Sequence, residues 1–187
     1  MKKLIFLTGN KQKFAIAKKA FAGLNIKLIQ KDIAPPEIQS MNVEDIASFS
    51  VEWASKKFKA PVFVTDAGAC IKALNGFPGP FVKYVNHWFR AEDYVNLMKG
   101  KKDRSVVFKD CLAYCEPGKK PKLFCNSTEG KITMKPRRKR YTPLNSVLIP
   151  DGYKITTSEM SQKDMLQFWG DNIGNWRQFS DYLRKKF

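Results

Sequence analysis

Histidine is nearly absent from this 187-residue chain, which has only His87, and none of its four cysteines forms a Cys-x-x-Cys pair. A tetrahedral zinc centre needs several such donors at short spacing, so that class of site is excluded. Long apolar runs are lacking as well. Two lysines precede only Leu4-Ile5-Phe6-Leu7 before the chain turns polar, so neither a signal peptide nor a membrane span is expected, and the protein reads as cytoplasmic with no membrane partner. There is no Walker loop, no Gly-x-Gly-x-x-Gly, no zinc finger, no RNA-recognition motif and no internal repeat. Acids are scarce too: 17 Asp and Glu face 34 Lys and Arg, a formal net charge of +17. Such an excess calls for a polyanionic partner, nucleotide or nucleic acid.

The basic residues gather at Lys18-Lys19, between Lys99 and Lys102, at Lys119-Lys120, from Lys135 to Arg140, and from Arg184 to Lys186. Spread so widely, most must be solvated surface. The cluster Lys135-Pro136-Arg137-Arg138-Lys139-Arg140 reads as a solvated loop near the site, with binding to nucleic-acid phosphates as the second reading. Cys111 and Cys115 sit in an apparent strand and its continuation and read as buried apolar thiols of a reduced protein.

Length allows one domain, or two lobes sharing a sheet, with a core that needs no staples. Apolar periodicity predicts strands over 4–7, 26–30 and 61–64, and helices over 12–24 and 43–58. This alternation argues for an α/β sheet with ligand chemistry at the strand ends. Residues 65–68 read as a turn after the third strand, and 76–80 as a rigid loop leading into helices near 82–88 and 94–98. Strands over 106–114, 122–127 and 130–134 suggest a more antiparallel second lobe, and a helix over 176–186 ends the chain.

The chemistry begins where the first strand breaks into Thr8-Gly9-Asn10-Lys11-Gln12-Lys13. A strand that opens at Gly into a helix start offers backbone N–H groups, a hydroxyl and ammonium groups together, which suits a phosphate chain. Asp66 stands after the third strand before a small-residue turn, and a carboxylate there suits a hard cation. Taken alone, Asp66 also fits a local turn with Gly68, Glu37 a solvated loop, and each lysine a surface charge.

Thr8-Gly9-Asn10 with Lys13, Pro36-Glu37-Ile38-Gln39, Thr65-Asp66-Ala67-Gly68 and the string Ala73-Leu74-Asn75-Gly76-Phe77-Pro78-Gly79-Pro80, in that order, resemble the inosine triphosphate pyrophosphatase family over the first half of the chain. The resemblance implies an α/β fold, a mixed central sheet flanked by helices, with two lobes around a nucleotide cleft. It implies one such domain over 1–187, usually as a homodimer. It also implies Mg²⁺-dependent cleavage of a nucleoside triphosphate to monophosphate and pyrophosphate. Carried over residue by residue, it makes Asp66 and Lys13 catalytic and Glu37 and Asp66 metal ligands. Thr8, Gly9, Asn10, Lys13, Lys83, Asn145 and Arg177 then contact the nucleotide.

Departures from the family pattern fall on the site itself. The acid expected three residues after Lys13 is Ile16, and the first of two consecutive acids before Gly68 is Thr65. Where an aromatic platform for the base belongs, the chain has Thr142-Pro143-Leu144-Asn145-Ser146, in which Asn145 takes the place of an Asp. Met165 replaces a lysine, an insertion spans 166–174, and Trp169 and Trp176 read either as packing residues or as base-stacking ones. Three functions stay open: a nucleoside triphosphate pyrophosphatase acting on modified nucleotides with altered base specificity; a catalytically impaired nucleotide-binding relative; and a basic nucleic-acid-binding protein on the same fold.

Overall fold

The computed structural model describes residues 1–172 and 174–187; Ile173, part of the insertion read from the sequence, lies outside the described residues. In chain order, β1 is Lys2–Leu7, α1 Lys11–Ala20, β2 Ile26–Lys31, α2 Val43–Phe58, β3 Val62–Ile71, β4 Pro78–Gly79, α3 Val82–Trp88 and α4 Ala91–Leu97. They are followed by β5 Ser105–Cys115, β6 Lys122–Ile132, β7 Leu148–Pro150, α5 Gln162–Gln167, a short π-helix Phe168–Asn172 and α6 Asn175–Lys186. The strands form one mixed sheet in the order β2-β1-β3-β5-β6-β7, with β4 on β3.

Two compact units divide the chain. The first comprises Met1–Asp66, Asp110–Asn126 and Leu166–Phe187; the second comprises Ala67–Lys109 and Ser127–Met165. In the first unit β1 lies parallel to β2 and β3, with Ile5 opposite Val62 and Phe6 opposite Phe63. All four residues Leu4 to Leu7 are buried because both faces of this strand are covered. Leu4 and Phe6 join Phe63, Leu112, Tyr114 and Phe124 on one face, under Ile16, Ala17 and Phe21 of α1 with the first turn after it and under Trp176, Phe179 and Leu183 of α6. Ile5 and Leu7 point the other way, with Val62, Val64 and Ala113, under Val43, Ala47, Val51 and Ala54 of α2. This period-two division is what an apolar run of four needs when helices pack on both sides. The first face is aromatic at its centre: Phe6 and Phe63 stack at 4.2 Å, and Trp176 meets both edge-on.

In the second unit, β4 pairs antiparallel with the end of β3, and β7 antiparallel with β6. Ile71, Val85, Tyr94, Met98, Val106, Ile132, Leu144 and Leu148 form its core. The Arg104 guanidinium donates to the carbonyls of Met98, Ile132 and Thr133, tying three backbone segments together. Burial pushes the Tyr94 hydroxyl well above its usual range, and it donates to Asn86 Oδ1.

Several expected boundaries shift. Residues 65–68 are not a turn: they continue β3 through to Ile71. The two strands expected over 122–134 are one, β6, because Gly130 lets the chain run close against β7, where a Cβ would lie 2.6 Å from the Ile149 oxygen. Helix α1 ends four residues early, at Ala20. Cys111 is not a free thiol but is bonded to Cys125 on β6, whereas Cys115 stays a buried thiol. Among the described residues no helix is long and apolar enough to cross a membrane.

Because Phe63 touches aromatic rings from β1, α6 and the residue following α1, truncation leaves a cavity that its neighbours are too rigid to fill. Phe63→Ala should cost about 3–5 kcal/mol in urea unfolding.

Candidate functional site

The first loop is built by β2. Thr8 N–H donates to the Lys31 carbonyl at 2.9 Å, and Gln30 Nε2 donates to the Thr8 carbonyl at 3.0 Å. Asn10 then caps α1, its Oδ1 accepting from Gln12 N at 2.8 Å and Lys13 N at 3.2 Å, while its own N–H donates to Thr8 Oγ1. Thr8 and Asn10 thus occupy the positive end of α1, as expected from their order in the sequence, and their oxygens fold the loop on itself. Gly9 has no room for a side chain in this arrangement, since a Cβ there would come 2.3 Å from Asp32 Oδ1.

Lys13, in the first turn of α1, reaches back to the sheet and donates from Nζ to the Thr65 carbonyl at 3.4 Å. Asp66 follows Thr65 inside β3, at the last residue of the first unit. A strand position, rather than a turn, therefore holds this carboxylate. Thr65 Oγ1 is buried with no hydrogen-bond partner.

Asp110, half-buried on β5, is a further acid of the first unit that the sequence reading does not single out. Removal from water pushes its carboxyl above the ordinary value of 3.8, against which the Lys13 ammonium favours the charged form. The Asn175 side-chain amide at the start of α6 favours it too, yet Asn175 Nδ2 reaches full hydrogen-bond geometry with no atom and is buried without a partner. The one signal in the sequence was a lone acid within the otherwise apolar run from Val106 to Cys115, broken besides only by Lys109.

The remaining expected residues are dispersed over other elements. Glu37 is exposed in the loop between β2 and α2, and Arg177 is exposed on the first turn of α6. Lys83 is exposed on α3 of the second unit. Asn145, in the same unit, spends its side chain on its own turn: Oδ1 accepts from Thr142 N and Oγ1, and Nδ2 donates to Thr157 Oγ1 at 2.8 Å. That turn borders a cleft of about 440 Å³ lined by Phe89, Arg90, Arg140 and Tyr141 among others. Trp176 is a packing residue, buried in the aromatic core, and Trp169 packs partly against the same core. Among the described residues no three His, Cys, Asp or Glu side chains gather closely enough to form a protein-only metal cage.

The Asp110 carboxyl sets a pH dependence. A group whose folded pKa lies above 3.8 costs stability as the pH rises from 3.8 through the folded value, because the folded chain holds the proton more tightly than the unfolded one. Asp110→Asn should therefore raise the urea midpoint at pH 7, with the gain vanishing below pH 3.8. A midpoint lowered at pH 7 would contradict this account of the carboxyl.

Comparison with known proteins places these features. The Ham1 family model matches residues 4–169. The dITP/XTP pyrophosphatase of Methanosarcina mazei is 41% identical over 137 residues, covering 73% of this chain and 74% of its own length. That of Thermococcus kodakarensis is 29% identical over 185 residues, 98% of each chain. Among solved structures, a HAM1 protein from Coxiella burnetii superposes with a TM-score of 0.86 at 21% identity over 99% of this chain and 100% of its own. The Ham1 protein of Staphylococcus aureus gives 0.83 at 19% identity over the whole of both. These two likenesses bear on the fold, and the family model with the archaeal relatives bears on descent: the chain belongs to the Ham1 family.

Proposed function

We propose that this protein is a nucleoside triphosphate pyrophosphohydrolase that acts on modified purine nucleotides, the activity for which its archaeal relatives are named. The observation that carries the reading is the Lys13 ammonium held at the Thr65 carbonyl, one residue from Asp66 and beside the capped start of α1. A triphosphate is the ligand such a place suits. Its oxygens take the charge of Lys13 and the positive helix end, and the N–H groups now satisfied by Asn10 can exchange that partner for phosphate.

The donors present suit a hard divalent cation such as Mg²⁺. Asp66 and Glu37 would supply carboxylate oxygens; a cation that keeps waters and binds substrate phosphates needs no more than one or two protein carboxylates. When bound, that ion would neutralise phosphate charge and lower the pKa of a bound water. In this reading Asp66 takes the proton of the attacking water as the bond between the α- and β-phosphates breaks, one water being consumed to give monophosphate and pyrophosphate. Within that class, the choice among bases falls to groups other than the Asn145 side chain, which commits its amide to its own turn.

Incubation with Mg²⁺ and a panel of standard and deaminated ribo- and deoxyribonucleoside triphosphates tests the proposal through joint measurement of monophosphate and pyrophosphate. Turnover of the deaminated subset is expected, lost on chelation and restored by Mg²⁺. In Asp66→Asn the rate should fall about 10²–10⁴-fold with the fold intact. An undiminished rate in that variant would remove Asp66 from the chemistry, and no turnover of any nucleotide would leave a binding protein.

A further inference from the structure

The pyrophosphohydrolase reading makes no use of the basic segment 135–140, and we propose that this segment is the centre of a binding surface for single-stranded nucleic acid on the second unit. The proposal stands independently of that reading. Three observations carry it.

First, the segment is a fixed part of the fold. Arg137 N–H donates to the Ser146 carbonyl at 2.8 Å, Ser146 Oγ donates to the Arg138 carbonyl at 3.1 Å, and Thr133 Oγ1 donates to the Lys135 carbonyl at 2.7 Å. Held in one course, its cations concentrate a field that a free loop would spread. Second, a depression adjoins each end of it. The beginning borders a groove of about 640 Å³, and the end borders the cleft of about 440 Å³ described above. Arg104, Lys131, Lys135, Arg137 and Lys154 line the groove, and among the described residues no Asp or Glu does. Arg137 is paired with Glu159 at 3.3 Å, and backbone carbonyls hold Arg104. Exposed Lys131, Lys135 and Lys154 are then the charges open to an incoming anion. In the cleft, Asp93 faces Arg90 at 3.7 Å and Glu92 faces Lys139 at 3.9 Å, so the groove carries the larger uncompensated charge. Third, apolar and aromatic surface is interleaved with these cations. Met134 is 71% exposed and lines the groove with Tyr153; Tyr141 is 40% exposed and lines the cleft, with the Arg140 guanidinium 4.7 Å over its ring. A single strand offers flat base faces between phosphates in series, and cations alternating with planar or apolar side chains take both. A duplex hides its bases and an acidic peptide lacks planar faces, so neither uses the whole surface.

The test is fluorescence anisotropy of the full chain with a labelled single strand of about a dozen nucleotides, as RNA and as DNA, at roughly 50 to 200 mM KCl. Binding of either strand supports the proposal, the tighter identifying the source, and affinity should fall with a log–log salt slope of about −2 or steeper. Lys131→Gln, Lys135→Gln and Lys154→Gln combined should lower affinity roughly 10-fold and flatten the slope by about 2, since each lost phosphate contact removes about 0.7. Tyr141→Ala should weaken binding roughly 5-fold or more while leaving the slope unchanged. Lys119→Gln, Lys120→Gln and Lys185→Gln combined remove equal charge from the first unit and should change affinity less than about 2-fold. Circular dichroism checks the fold of every variant. Absence of binding, indifference to salt, or an equal loss in the first-unit variant would overturn the proposal. A duplex of the same length, or a polyglutamate peptide of equal charge, bound as tightly as the single strand would overturn it as well.

Discussion

Burial of both faces of β1 and its neighbour β3 is the constraint from which the rest follows. With Leu4 and Phe6 under α1 and α6, and Ile5 and Leu7 under α2, the middle of the sheet in the first unit has no side facing water. Polar side chains can then enter only where a strand ends or where a partner meets them inside. Thr8 to Lys13 takes the first route, at the end of β1. Lys13, one helical turn after Asn10, reaches from the same loop to the Thr65 carbonyl of β3. The packing that covers the middle of the sheet thus leaves polar groups to gather at its strand ends.

How much of this was legible follows from which physical signal each part carries. Strand β1, helix α2 and the final helix were plain, because buried periodicity is a local property of the residues themselves. The loop from Thr8 to Lys13 was legible because a Gly and a capping Asn announce a strand-to-helix break. The Thr65 to Gly68 segment was misjudged for the opposite reason. Asp, Gly and Ala are poor strand formers, so the sequence there resembles a turn; pairing with β4 beyond it keeps the chain extended. Gly130 misled in the same way, since a glycine that permits close approach of β7 looks like one that ends a strand. Cysteine pairing was hidden because Cys111 and Cys125 lie 14 residues apart and meet only through strand pairing.

The basic surface is a separate matter from the site's own charges. Glu52 with Lys56 and Glu159 with Arg137 are ion pairs open to solvent, which contribute little to stability, while Glu116 with Lys186 is half-buried. The Glu159 carboxyl lies below its usual range chiefly because Thr156 N–H donates to it, with Arg137 a lesser cause. A net charge of +17 raises the rate at which polyanions are met and is screened by salt, whereas the choice of a ligand is made by short-range groups.

Ile16 and the segment that covers it depend on each other. Gly170, within the π-helix Phe168–Asn172, lies so near Ile16 that a Cβ on it would stand 3.2 Å from Ile16 Cγ2. Leu166 and Trp169 pack partly against the same core. A carboxylate at position 16 would face this apolar cover and lose its hydration, so the cover and the isoleucine favour each other. The isoleucine and its cover are thus one packing solution, in which an apolar side chain at position 16 fills the space that Gly170 leaves by having none.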